Sequence, residues 1–395
     1  MSHPLINRSP DLKKLRDEGY DIQIRNGFLL VKDVPYVNSA KAVKRGILVT
    51  KLVLAGNVTT TPDNHVAYFS GEHPCFADGT QIEKIKHGSG EQVLAEGVVV
   101  QHSFSAKPKP SDAYPDYYAK VTTYVAIFSG QAQVIDPTVT SKTFPAIAPD
   151  EQEESVFNYI DTASSRAEID IVTKKLEKKK LAIIGTGGTG AYVLDFTAKT
   201  PVAEIHLWDK DAFLQHNAFR APGAPSIEEL NEKPSKVAYL QRLYSKMHRG
   251  IKAHEAFLGN DNVEELRGMD FVFLCLDRGP AKKIVIAKLE EFGIPFIDVG
   301  MGLYEADGSL GGIVRTTTST PQNRDSARSR IPFSDGDGNN EYARNIQIAE
   351  LNALNAALAV IKWKKLCGFY HDFDHEHFTS FTINGNLLLN EDKKP

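Results

Sequence analysis

The stretch LAIIGTGGTG, residues 181–190, ends an apolar run in four glycines spread over six positions. The short apolar run reads as a buried strand and the residues after it open a helix, so the glycines occupy a strand-to-helix turn. Gly185, Gly187 and Gly190 satisfy GxGxxG, and Gly188 adds a fourth glycine. Such a backbone can approach a phosphate closely, and the helix N-terminus behind it presents free N–H groups and partial positive charge. The turn is predicted to hold a nucleotide. The glycines alone do not distinguish a nicotinamide dinucleotide from ATP.

Outward from this turn the pattern alternates. A strand at 204–208 (EIHLW) precedes a helix at 234–248, and a strand at 251–257 precedes a short helix near 262–267. A strand at 271–276 (FVFLCL) precedes a helix at 280–292, and a strand at 294–299 (IPFIDV) follows. Short apolar strands alternating with helices imply a parallel sheet buried on both faces. A hairpin (GLYEADGSLGGIVRT), a loop over roughly 318–340, a long helix at 341–366 and a final hairpin around Asn384-Gly385 complete the chain. The predicted class is α/β, a Rossmann-like, mostly parallel sheet over 157–395.

Residues 1–147 read differently. After a short helix at 9–19 with Ser9 as N-cap, DIQIRNGFLLV alternates about Asn26-Gly27, a hairpin signature. GILVTKLVLAG, HVAYFSG, EGVVVQHSF and VTTYVAIFSGQAQVID add further strand-like pieces, so a smaller β-rich (α+β) domain is expected. The acidic segment 148–156 reads as a linker, and a helical pattern runs from Glu154 to Lys180 into the basic end TKKLEKKK, read as a solvated helix terminus.

Composition limits the function. With 395 residues, two domains are the natural division. The net charge of −4 gives no global basic field for nucleic acid or membrane. No run approaches the roughly 20 apolar residues of a membrane span, and the N-terminus has no apolar segment of signal-peptide length. Three widely spaced cysteines, Cys75, Cys275 and Cys367, without a CxxC pair, fit a reducing compartment and exclude a four-cysteine zinc site. A cytoplasmic protein is expected.

Asp209 ends the second strand, about 20 residues past the glycines, where an acid can accept hydrogen bonds from ribose hydroxyls of NAD or ATP alike. The segments WDKDAFLQHNAFRAPGA, NEKPSKVAYL and FLCLDRGPAK say more. They supply Asp209 and Asp211, then Asn217 and Arg220, then Lys236 opening a helix, then Asp277 after the fourth strand. In this order and spacing the sequence resembles the ThiF/MoeB superfamily of adenylating enzymes related to ubiquitin activation, over about 120 residues closely and more loosely from 165 to 390.

The resemblance implies ATP and magnesium, with Asp277 as the magnesium ligand. It also implies a homodimer in which an arginine of the neighbouring subunit reaches the ATP; Arg166 stands where that arginine would come from. The chemistry agrees. An ionised carboxylate needs no base to attack phosphorus, but it must approach a polyanion. One pair of like charges about 4 Å apart repels by about 4 kcal/mol at an effective dielectric near 20. Arg220, as a bidentate clamp, and Lys236, as a point charge, would offset that repulsion. Asn217 can donate to a phosphate.

Some members of the superfamily pass the acyl group to a cysteine in the region corresponding to 317–345, where this chain has none. Ser326, Ser329 and Ser334 are hydroxyls without an evident activating base. Cys275 lies inside a strand and reads as core. Cys75, in HPCFADGTQI, is an acyl-acceptor candidate, since His73 could lower its pKa. That stretch superficially resembles the HPN…G segment of ubiquitin-conjugating enzymes, but no cysteine stands at the matching position near Ile82 or Glu83. HDFDHEHF, 371–378, is read as a solvated loop before a metal site.

Adenylation of the C-terminal carboxylate of a ubiquitin-like protein in a bacterial conjugation pathway is the expected activity, with a conjugating-enzyme-like partner to receive it. The N-terminal domain is expected to bind or pass on that protein. Activation of a sulfur-carrier protein or of a tRNA-base carboxylate is the first alternative. An NAD-dependent oxidoreductase is the second, and it would leave Arg220, Lys236 and Asp277 idle. An inactive nucleotide-binding scaffold is the third, and the intact charged set speaks against it.

Overall fold

A computed structural model of the chain describes residues 3–148, 155–276, 279–333 and 346–390. It divides into two units, Met1–Glu154 with Tyr159–Arg166, and Ser155–Asn158 with Ala167–Pro395. Among the described residues no helix is long and apolar enough to cross a membrane.

The second unit carries an eight-stranded sheet in the order 251–254, 204–208, 180–184, 271–274, 296–306, 309–319, 378–382, 387–390. The first five strands run parallel, and the last three return antiparallel as hairpins. Side chains alternate between two cores, as a sheet buried on both faces requires. Leu181, Ile183, Leu207 and Phe273 face helices 188–197, 236–244 and 349–366. Ala182, Ile184, Val272 and Leu274 face helix 280–291 and the turn at 263–268. From 180–184 the chain crosses first to 204–208 on one side and later to 271–274 on the other. The crevice at the carboxyl ends of these strands is therefore the topological switch point where α/β sheets bind ligands. The α/β reading holds.

The first unit has a six-stranded antiparallel sheet, ordered 22–25, 28–37, 43–51, 66–70, 98–105, 86–95. One expectation is corrected here. VTTYVAIFSGQAQVID is not a strand but most of a helix, Tyr117–Ile135. Asp116 caps it, accepting from the Ala119 amide at 2.7 Å. Tyr117, Val121, Tyr124, Val125, Phe128 and Ala132 form its buried stripe. The β-branched and aromatic run mimics a strand over eight residues, and the 3.6-residue period shows only over the whole segment. The stripe packs on strand 28–37, and Phe128 meets Phe69 of strand 66–70 and Phe104 of strand 98–105 edge to face. The single helical pattern across 154–180 is also corrected: among described residues it breaks into short helical segments at 162–166, 170–173 and 174–176, with Glu168 and Lys178 at positive φ. Ser9 precedes helix Pro10–Asp17 but makes no side-chain cap; its hydroxyl accepts from the Thr59 amide instead.

Lys120 on helix 117–135 is buried, its ammonium donating to the Asn64 carbonyl at 3.0 Å. Burial lowers its pKa to about 8. Between that value and the ordinary lysine range the unfolded chain keeps a proton that the folded chain has lost, so folding stability rises with pH through this window. The contribution amounts to about 3 kcal/mol across it. Lys120→Met is expected to flatten this rise in urea unfolding compared at pH about 7.5 and about 9.5; equal slopes for the two proteins would show that the lysine does not titrate in this way.

Candidate active site

Gly185 sits at φ 84° at the end of strand 180–184, where a Cβ would lie 2.6 Å from the Cys275 carbonyl oxygen. At Gly190 a Cβ would lie 1.9 Å from the Gly185 carbonyl oxygen, so helix 188–197 closes directly onto the turn. Gly188 faces Asn352 of helix 349–366 just as closely, at 2.0 Å. Gly187 differs. Nothing lies within 4 Å of its missing Cβ, and the residue lines a cavity.

That cavity, of about 560 Å³, occupies the switch point. It is lined by Gly185, Gly187, Gly188, Asp209, Asp211, Arg220 and Lys236. Asp209 is buried and its oxygens are engaged: Oδ2 accepts from the Thr186 amide at 2.8 Å and hydroxyl at 3.2 Å, and Oδ1 from the Asp211 amide at 2.9 Å. It fixes the shape of the turn. Asp211 is the more open acid and holds the Lys236 ammonium at 2.6 Å. Lys236 is placed by the start of helix 236–244, which Ser235 caps, and its own amide donates to the Asp211 carbonyl at 2.9 Å.

Arg220 follows a single helical turn, Gln215–Ala218. Its backbone carbonyl accepts from Asn352 Nδ2 at 3.2 Å, and Asn352 Oδ1 accepts from the Thr189 hydroxyl at 2.8 Å. One asparagine thus ties the arginine segment to the glycine turn. Arg220 Nε is buried with no partner among the described residues. A guanidinium left so in a cavity wall is poised for an anion. Asn217 is buried too but does not line the cavity. Its Oδ1 is spent on the Leu214 amide, while Nδ2 has no partner among the described residues.

Trp208 walls the cavity, stacked on His254 at 4.2 Å between centroids. Charged and amide residues that sequence reasoning missed line the same space: Lys282, Arg315, Asn352 and Asn355. Among the described residues no group of three or more His, Cys, Asp or Glu could hold a metal. A magnesium ion that takes one carboxylate together with phosphate oxygens needs no such cage, and the nearby phosphate-type turn fits that arrangement. Asp277 lies outside the described residues, as does Ser334.

The other candidates lie elsewhere. Arg166 ends helix Thr162–Arg166 in the first unit, exposed, with its guanidinium 5.9 Å from the Phe144 ring. Cys75 is buried in the first unit; its thiol donates to the His73 carbonyl, and burial raises its pKa. The same burial lowers the pKa of His73, so it offers no imidazolium to activate the thiol. Burial also pushes the Cys275 and Cys367 thiols up. Ser329 donates to the Ser326 carbonyl. In the 371–378 segment Asp372 and Glu376 pair with Lys362 and Lys365, at 2.9 and 2.7 Å, so these acids are salt-bridge partners.

A doubly wound sheet with a glycine-rich turn, a buried acid after the next strand and two cations over the turn defines a nucleotide-binding domain. Residues 163–384 match the ThiF family, and residues 10–162 match a domain of unknown function, DUF6791. The chain belongs to the ThiF family, and with it to the ATP-dependent adenylyltransferases that act on carboxylates. Similar solved structures include E. coli MccB with ATP (19% identity, 58% of this chain and 67% of that one, TM-score 0.41). PaaA is similar at 17% identity, over 56% and 75% of the two chains, with TM-score 0.42. The microcin C7 biosynthetic enzyme MccB in complex with N-formylated MccA is similar at 17%, over 58% and 68%, also with TM-score 0.42. No curated protein sequence matches the chain.

Proposed function

We propose that the enzyme adenylates the C-terminal carboxylate of a ubiquitin-like protein, activating it for conjugation. The observation that carries this reading is the convergence of Arg220 and Lys236 with the Gly185–Gly190 turn on one cavity. A carboxylate oxygen attacks the α-phosphorus of ATP, the bond from that phosphorus to the bridging oxygen breaks, and pyrophosphate leaves. No proton moves. Arg220 and Lys236 offset the negative charge that accumulates; Asn217, buried off the cavity, is left out of the reaction. Asp277 would hold magnesium, which would supply further charge neutralisation. Asp211, which holds Lys236 but is exposed where Asp209 is buried, is the more accessible carboxylate for the ribose.

A protein substrate is supported by the first unit, which has a sheet and core of its own beyond what nucleotide chemistry needs. Cys75 is buried, Cys275 and Cys367 are half-buried with Cys275 on the cavity wall, and desolvation pushes all three thiols up. Unactivated thiols support a reaction that stops at the acyl-adenylate on this chain, with a conjugating-enzyme-like partner receiving the acyl group. Arg166 would complete the site from the second subunit of a homodimer.

ATP–pyrophosphate exchange tests the reading. Exchange that requires a ubiquitin-like protein with an intact C-terminus supports it. Exchange driven by a sulfur-carrier protein or by tRNA moves the acceptor to that class. NAD reduction without exchange overturns adenylation altogether.

A further inference from the structure

Two histidines behind the cavity wall form a hydrogen-bonded chain that the adenylation chemistry does not use. His206, on strand 204–208, and His254, on the edge strand 251–254, lie diagonally across the ladder, with Nδ1 of the first 3.0 Å from Nε2 of the second. At one end Glu204 Oε2 lies 2.9 Å from His206 Nε2. At the other, Glu265 Oε2, on the turn at 263–268, lies 3.7 Å from His254 Nδ1. Trp208 pairs with His254 in the ladder, and its indole stacks on that imidazole at 4.2 Å and 8° while walling the cavity.

Counting protons shows where this chain is basic. An ionised carboxylate only accepts, so Glu204 requires an N–H at His206 Nε2. A neutral imidazole has one N–H, so His206 Nδ1 is an acceptor and His254 must donate to it from Nε2. That leaves His254 Nδ1 with a lone pair facing the Glu265 carboxylate. Three junctions need three protons, one more than two neutral rings carry. The opposite tautomers are worse, because they set a lone pair against Glu204 at 2.9 Å. The bond from His206, with Lys252 at 3.1 Å and Lys180 at 3.4 Å, lowers the Glu204 pKa to about 2, so that acid stays ionised.

Burial and His206 lower the pKa of His254, as Lys252 does, while Glu265 opposes them. The third proton therefore enters below the ordinary histidine value of about 6.5. Solvent reaches the site, since His254 is half-buried on an edge strand. Asp209, whose amide donates to the His254 carbonyl at 3.3 Å, keeps its carboxylate on the glycine turn. Once protonated, His254 lays a cation on the face of Trp208, an attractive arrangement, and the new charge stands one indole away from the cavity.

We propose that His254 Nδ1 is a proton-uptake site coupled to the cavity wall: on mild acidification it becomes an imidazolium stacked on Trp208 and paired with Glu265, and the cavity then holds a polyanion more tightly. By linkage, a polyanion entering the cavity draws that proton in. The second half rests on the nucleotide reading; the first does not. His254 is a positioning residue for Trp208, and Glu204 and His206 fix its tautomer.

Tryptophan fluorescence of the full-length chain, followed from pH about 8 to about 5, reads the site, because an imidazolium against an indole quenches its emission. Trp363 lies in the core on the other face of the sheet and gives a constant background. The wild type is expected to show a quench with its midpoint below about 6.5, and His254→Gln, which keeps an N–H for His206, to lose it. Glu265→Gln, a substitution at an exposed site that serves if His254→Gln does not fold, should move the midpoint to lower pH. Nitrogen NMR of the neutral protein should show His206 as the Nε2–H tautomer. Absence of the quench, a quench that survives His254→Gln, an unmoved midpoint in Glu265→Gln, or His206 as the Nδ1–H tautomer overturns the proton site. Calorimetry with a non-hydrolysable magnesium ATP analogue reads the linkage. Between pH about 7.5 and about 5.5 the wild type should gain about threefold or more in affinity relative to His254→Gln, the ligand's own titration being common to both. Equal changes in the two proteins overturn the linkage. An analogue that binds at neither pH, with the quench intact, would sink the nucleotide reading while leaving the proton site standing.

Discussion

Arg220→Ala is expected to lower ATP–pyrophosphate exchange by about two to three orders of magnitude, the size of effect seen when one preorganised donor is removed from a developing negative charge. The protein should nonetheless fold. Asn352 holds the backbone carbonyl of residue 220, not its side chain, so the tie to Thr189 survives truncation. The guanidinium Nε has no partner among the described residues, so little native structure is lost with it. Arg220→Lys should recover only part of the rate, because an ammonium cannot clamp two oxygens at once. Exchange at wild-type rate in a folded Arg220→Ala protein would remove this residue from the reaction.

The glycine turn yields the second large effect, and it comes as a contrasting pair. Gly190→Ala forces a methyl group to 1.9 Å from the Gly185 carbonyl, a backbone atom that cannot swing aside. Helix 188–197 must shift off the strand end, at a cost of about 1–3 kcal/mol or more, so both thermal stability and ATP affinity should fall. Gly187→Ala meets no described protein atom within 4 Å, and the residue lines the cavity. It should leave the melting temperature nearly unchanged and still weaken ATP binding by about tenfold or more, because only a close ligand has a use for glycine there. Calorimetry and thermal melts of the two variants check this. If Gly187→Ala binds ATP normally, phosphate does not sit over this turn.

Much of the second unit is legible from local patterns. The 181–184 run, its glycines and the alternation through 299 are each contained in a few adjacent residues, and the parallel sheet follows from them. Helix 117–135 is not legible that way, because its β-branched content contradicts its period until the whole stripe is counted. The Lys282–Asp298–Arg315 cluster, a buried acid paired with two cavity-lining cations, is harder still, since its members lie on three elements. A signal existed: Asp307-Gly308 is a turn dipeptide, and a hairpin closing there pairs Ala306 with Ser309, hence Gly300 with Arg315. Asp298, two residues before Gly300 on the same face, then falls diagonal to the arginine. An acid in one strand and a base in the next, brought into register by one turn, is the pattern to look for. Asn352 left no such trace, because its partners lie 132 and 163 positions away.

The most direct test of a cavity arranged around a triphosphate is calorimetric titration of the wild type, Arg220→Ala and Lys236→Ala with magnesium ATP and, separately, with NAD. Tight ATP binding that is weakened by about tenfold or more in each variant, with NAD bound far more weakly, is the expected result. NAD binding tighter than ATP, indifferent to both substitutions, would contradict it.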